Sequence, residues 1–133
     1  MRSSNSIIKT NGNSIEQLDA AYVQDHKNED WTTYKTNFAS FANDNAWYIV
    51  ENSNLHTKNT LEKAIKWSEC SLQIEKNNGY YLDTLAQLYY RNGATQKGIE
   101  TQEKAIANFV KDNDPETYEK MTITLDQMKK RTY

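Results

Sequence analysis

At 133 residues, with 37% apolar residues and a mean hydropathy of −0.94, the chain is sized for one domain with a modest core. Eighteen acids against 16 bases leave a net charge of −2 without a long run of either sign, which argues against a nucleic-acid partner, since that requires a basic stripe. One cysteine excludes an intrachain disulfide and any CxxC redox or zinc motif, and no apolar run approaches the ~18 residues of a membrane span.

In chain order, residues 1–13 are rich in Ser, Asn and Gly and read as a flexible lead-in, with no secretory-leader pattern around Ile7 and Ile8. Residues 14–133 read as a single helical repeat domain. Ser14 with Gln17 makes a capping-box start, and Ile15, Leu18, Ala21 and Tyr22 recur at helical spacing, predicting a first helix to His26. Asp30 is the expected cap of a long second helix reaching about Glu51. Its apolar stripe is Trp31, Tyr34, Phe38, Phe41, Ala42, Ala46 and Ile49. Thr57 or Thr60 starts a third helix with two apolar faces, one built on Leu61, Ala64, Ile65, Ser68 and Leu72 and the other on Trp67, Ser71 and Ile74. Two faces predict packing on two sides.

Asn77-Asn78-Gly79 reads as the stop of that helix. A fourth helix over 80–91 carries Leu82, Leu85, Ala86 and Tyr89 and ends at Asn92-Gly93. The fifth starts at Thr95 and shows Ile99, Gln102, Ala105, Ile106, Phe109 and Val110. Asp114 caps a sixth, with Pro115 in the first turn, where its missing N–H costs nothing. Glu116 and Glu119 suit its positive end, and Lys129, Lys130 and Arg131 its negative one. Its narrow stripe of Tyr118, Met121, Leu125 and Met128 fits a helix that closes one end of a stack.

Ala64 and Gly98 hold matching positions 34 residues apart, as do Ser71 and Ala105. That period, and the segment Leu82-Asp83-Thr84-Leu85-Ala86-Gln87-Leu88-Tyr89-Tyr90-Arg91-Asn92-Gly93, resemble a tetratricopeptide repeat. Two helices of a hairpin approach closely only where small side chains meet, so Ala86 is expected to face Gly98 and Ala46 to face Ala64. The first unit departs from the second by a turn six residues longer, and both lack the family's proline near the end of the second helix. The expected fold is all-α: a short right-handed α-α superhelix of about six helices, with hairpins over about 31–76 and 80–111 and a closing helix over about 115–131. Residues 38–110 also resemble the helical repeats that accompany thioredoxin-like domains in some bacterial envelope proteins.

No constellation of catalytic residues stands out, and no cofactor or metal site is expected. Cys70 reads as a small buried hydrophobe and not a nucleophile. His26 and His56, 30 residues apart, do not have metal-ligand spacing, and Gly79, Gly93 and Gly98 read as punctuation and packing instead of a phosphate loop. The aromatic load of 11% is assigned mostly to the core, through Phe38, Phe41, Tyr89 and Phe109. By the repeat's positions, the inner face comprises Tyr80, Asp83, Gln87, Tyr90 and Arg91 in the better unit, and Asn43, Trp47, Val50 and Glu51 in the other. Tyr80, Asp83, Gln87, Tyr90, Arg91 and Trp47 are the candidate binding residues, expected to be exposed on one concave face unless the flanking helices cover them.

The resemblance implies a non-enzymatic scaffold module that binds a protein or peptide, as part of a larger protein. The alternatives are an accessory domain of a thioredoxin-like redox protein whose catalytic domain lies outside this chain, and a structural spacer. The redox alternative implies the bacterial envelope or periplasm. Otherwise the cytoplasm is expected.

Overall fold

Capping side chains mark three of the helix starts. The computed structural model describes residues 28–133, in which the chain forms five α-helices: α1 (Asn28–Glu51), α2 (Lys58–Ile74), α3 (Gly79–Arg91), α4 (Thr95–Ala107) and α5 (Pro115–Lys130). Short 3₁₀ turns at Ser53–Leu55 and Lys111–Asn113 complete the secondary structure, and the described residues hold no strand. The helix expected before His26 lies outside them.

Thr57 caps α2 by accepting from the Thr60 amide at 3.2 Å, and Asp114 caps α5 by accepting from the Thr117 amide at 3.2 Å. Asn78 caps α3, its Oδ1 accepting from the Tyr81 amide at 3.1 Å. The Asn-Asn-Gly run is therefore a start and not a stop: Gly79 is the first residue of α3, and α2 ends at Ile74. Helix α1 begins two residues before Asp30, and α4 ends at Ala107, before Phe109 and Val110. The turn from α3 to α4 uses Gly93 at φ 91°, a backbone conformation that a Cβ disfavours.

The helices form two antiparallel hairpins, α1 with α2 and α3 with α4, stacked through α2 and α3 and closed by α5 on α4. Both crossings use small residues in the same register. In the first hairpin Ala46 and Ala64 share one core cluster with Val50, Leu61 and Leu88, and seven residues earlier Ala39 accepts the Ser71 hydroxyl at 2.8 Å. In the second, a Cβ on Gly98 would lie 3.0 Å from the Ala86 carbonyl oxygen and from the Tyr90 amide nitrogen. Again seven residues before Ala86, a Cβ on Gly79 would lie 3.2 Å from the Ala105 carbonyl oxygen and 2.8 Å from Phe109 Cδ2. Backbones approach this closely only where side chains are minimal.

Helix α3 is the centre of the core. Tyr81, Leu82, Thr84, Leu85, Ala86, Gln87, Leu88 and Tyr89 are buried, with half-buried Asp83 the one interruption. Leu88 joins the first hairpin's core, while Leu82 packs with Ala105 and Met121, and Ala86 with Ile99 and Met128. One expected core aromatic departs from this pattern. Phe41 is 50% exposed and packs edge-on against Trp67, because α1 has crossed α2 along the Phe38 and Ala42 side and leaves Phe41 at the border.

Candidate functional site

The candidate residues of α3 lie along one side of the helix, but α5 and the residues after it cover the middle of that side. The stripe is thereby divided into an anchored end, a buried centre and an open end.

Tyr80 marks the anchored end. It is 47% exposed, donates its hydroxyl to Asp114 Oδ2 at 3.0 Å and meets Phe109 edge-on at 4.9 Å. The hydrogen bond to the Asp114 carboxylate raises the phenol's pKa above its ordinary value. Here the tyrosine ties the start of α3 to the capping residue of α5.

Asp83 and Gln87 form the buried centre. Asp83 Oδ1 accepts from Gln87 Nε2 at 3.1 Å and from Gln102 Nε2 at 2.9 Å, and the Gln102 amide also reaches the Met121 carbonyl at 3.0 Å. Burial pushes the Asp83 carboxyl above the ordinary carboxylate range, against the pull of the two amides. Gln87 is only 6% exposed, and its Oε1 accepts from the Tyr133 hydroxyl. These polar side chains were expected to face solvent. Instead the network crosses from α3 through α4 to α5, and a helix packed on them replaces the water they would otherwise bind.

Tyr90 and Arg91 form the open end. They line a cleft of about 410 Å³ together with His56 and Tyr133. The Tyr90 hydroxyl donates to the Met128 carbonyl at 3.3 Å, and its ring meets Tyr133 edge-on at 5.3 Å. The Arg91 guanidinium stands 4.9 Å from the Tyr133 ring centre, within cation–π range. Arg91 Nη1 donates to the Val50 carbonyl and lies 2.9 Å from His56 Nε2, itself 2.9 Å from the Ile49 carbonyl. That imidazole nitrogen donates to Ile49 in one tautomer and accepts from Arg91 in the other. Both contacts gather at the last carbonyls of α1, where positive charge and N–H donors are favoured. Burial raises the Tyr133 phenol to about 12, although the neighbouring Arg91 charge opposes the shift.

Trp47 is not part of this cleft. It is half-buried against Ala46, Val50 and Leu61 in the first hairpin. Val50 is buried there too, Asn43 is half-buried and Glu51 is exposed. The structure thus joins Tyr90 and Arg91, separates them from Tyr80 and Trp47, and brings His56 to Arg91 from 35 residues away and Tyr133 to Gln87 from 46. Nothing in the local pattern around those two residues marks them as neighbours of α3.

Cys70 is buried, and its thiol is pushed up first by burial and then by the Glu69 charge. Among the described residues, no group of three or more His, Cys, Asp or Glu side chains is placed to hold a metal ion, and no helix is long and apolar enough to cross a membrane. Compared with family models, with curated proteins and with solved structures, the chain matches none of them.

Proposed function

We propose that this chain is a non-enzymatic module of tetratricopeptide-like hairpins that binds a peptide segment of another protein, and that the cleft at the end of α3 is its grip. The observation that carries the reading is the convergence of Tyr90, Arg91, His56 and Tyr133 on one open cleft. Tyr and Arg are the residue types that concentrate binding energy when partly buried and surrounded by packed neighbours. Their side chains are already held in place here: Arg91 by the Val50 carbonyl and Tyr90 by the Met128 carbonyl. Such preorganisation lowers the entropic cost of association. The cleft offers an incoming segment the Tyr90 ring, guanidinium N–H groups and an imidazole, which suits an extended peptide carrying an aromatic or acidic side chain.

The test is selection from a random peptide display library on the whole chain. Peptides are expected to be enriched whose affinity falls about tenfold or more on Tyr90→Ala or Arg91→Ala, with both variants checked for native helicity. Lys104→Gln, an exposed change in α4, should leave that affinity intact. No enrichment, or binding indifferent to both cleft variants, would overturn the reading.

A further inference from the structure

We infer that Tyr133 is a built-in occupant of this cleft, and that the segment the cleft recognises carries a tyrosine that takes its place. The inference rests on the reading of the cleft as a peptide grip and names what that grip selects. Three observations define the seat. The Tyr133 hydroxyl donates to Gln87 Oε1, an acceptor on a buried side chain whose amide is held in orientation by Asp83. The ring meets the Tyr90 ring in a T-shaped contact and packs under the Arg91 guanidinium. The phenol is the only hydroxyl that reaches Gln87 Oε1 among the described residues.

The way Tyr133 arrives makes it replaceable. Helix α5 ends at Lys130, and Arg131 turns the chain in the left-handed conformation at φ 60°. The Thr132 amide then bonds the Gln127 carbonyl at 2.8 Å, closing the helix end. Tyr133 lies beyond that closure, so its side chain enters the cleft without being part of α5. Departure of the ring leaves the helix cap intact while exposing one acceptor, the Tyr90 ring, one cation and the border of the Ala86, Ile99 and Met128 cluster. These are the complement of a phenol: an acceptor for its O–H, an edge contact and a cation for its ring. A phenylalanine would satisfy the ring contacts but strand the Gln87 acceptor, and an acidic side chain would bring no donor to it.

A tethered occupant competes at a high effective concentration, so removing it should reveal the site's intrinsic affinity. The experiment titrates a fluorescent, amidated peptide of residues 129–133 into the wild-type chain and into Tyr133→Ala. The peptide is expected to bind Tyr133→Ala about tenfold or more tightly than wild type. Exchanging its tyrosine for phenylalanine should weaken it by about two- to tenfold, through loss of the bond to Gln87. Should Tyr133→Ala fail to fold by circular dichroism, Tyr133→Phe replaces it, keeping the ring and losing only the hydroxyl. That variant is expected to bind the tyrosine peptide more tightly than wild type does. Equal affinity for wild type and the folded variant, or no preference for tyrosine over phenylalanine, would overturn the inference. Library peptides that need Tyr90 and Arg91 yet gain nothing from Tyr133→Ala would sink the inference and leave the peptide-grip reading standing. Failure of every peptide to bind either protein would remove both.

Discussion

Gly98 carries the closest approach in the second hairpin, and its energetics run against simple helix propensity. A glycine inside a helix costs ~1 kcal/mol against alanine, so Gly98→Ala should help if the site were open. The Cβ it adds would instead meet Ala86 and Tyr90 backbone atoms at 3.0 Å, tighter than an ordinary contact, and neither atom is the far end of a flexible side chain. Gly98→Ala is therefore expected to destabilise the chain by about 1–3 kcal/mol in urea unfolding, while Lys104→Gln stays within about 0.5 kcal/mol. An alanine variant as stable as wild type would show that the two helices can part without cost. This position was legible beforehand, because a glycine paired at the repeat period with Ala64 makes sense only as a packing residue. The burial of Gln87 was not, because a polar residue on the outer side of an amphipathic helix is solvated unless something distant covers it.

At the scale of the element, α3 is held by apolar contacts on two sides and by the Asp83 network on the third. The polar side has a pH signature. The Asp83 carboxyl is raised in the folded chain by burial, so the folded state holds its proton to higher pH than the unfolded state does. Its contribution to stability is fully present below the ordinary value of 3.8 and is lost as pH rises through the raised folded value. Asp83→Asn preserves an acceptor for the Gln87 and Gln102 amides without the buried charge. Thermal melts across a pH series should show the variant gaining on wild type as pH rises through that window, and levelling above it. A constant difference between the two proteins at every pH would mean that the Asp83 carboxyl is not raised in the folded chain. In α5 the apolar stripe of Met121 and Met128 was legible from spacing alone, with Tyr118 and Leu125 half-buried beside it. That the same helix would also meet the polar side of α3 was not, since its register on α3 depends on the turn through Lys111–Asn113.

For the whole molecule, the burial pattern predicts an order of local stability. Helix α3 is enclosed by α1, α2 and α4, whereas α5 rests chiefly on α4 and exposes most of its outer face. Amide exchange is governed by the cheapest opening that frees each group, so α3 should exchange last and α5 earlier, with α2 and α4 between them. Native-state hydrogen exchange read by mass spectrometry checks this. Protection in α5 equal to that in α3 would mean that the closing helix opens only with the entire fold.

Among the described residues, the order of the helices, the paired small residues at the two crossings and the all-helical architecture were determined by the sequence itself. Each depends on local spacing, capping and side-chain volume, which act within a turn or two of the residue concerned. The reading of Asn77-Asn78-Gly79 as a stop failed for the same local reason: Asn before Gly can end one helix or cap the next, and the choice fell to Gly79 fitting against Ala105 and Phe109. The tertiary structure alone decided which part of the candidate stripe stays open. Asp83 and Gln87 were covered, Tyr80 was tied to Asp114, and Tyr90 and Arg91 were joined with His56 and Tyr133. Those outcomes depend on where α5 and the α1–α2 turn come to rest on α3, a balance of contacts between segments 34 to 46 residues apart that no local pattern encodes.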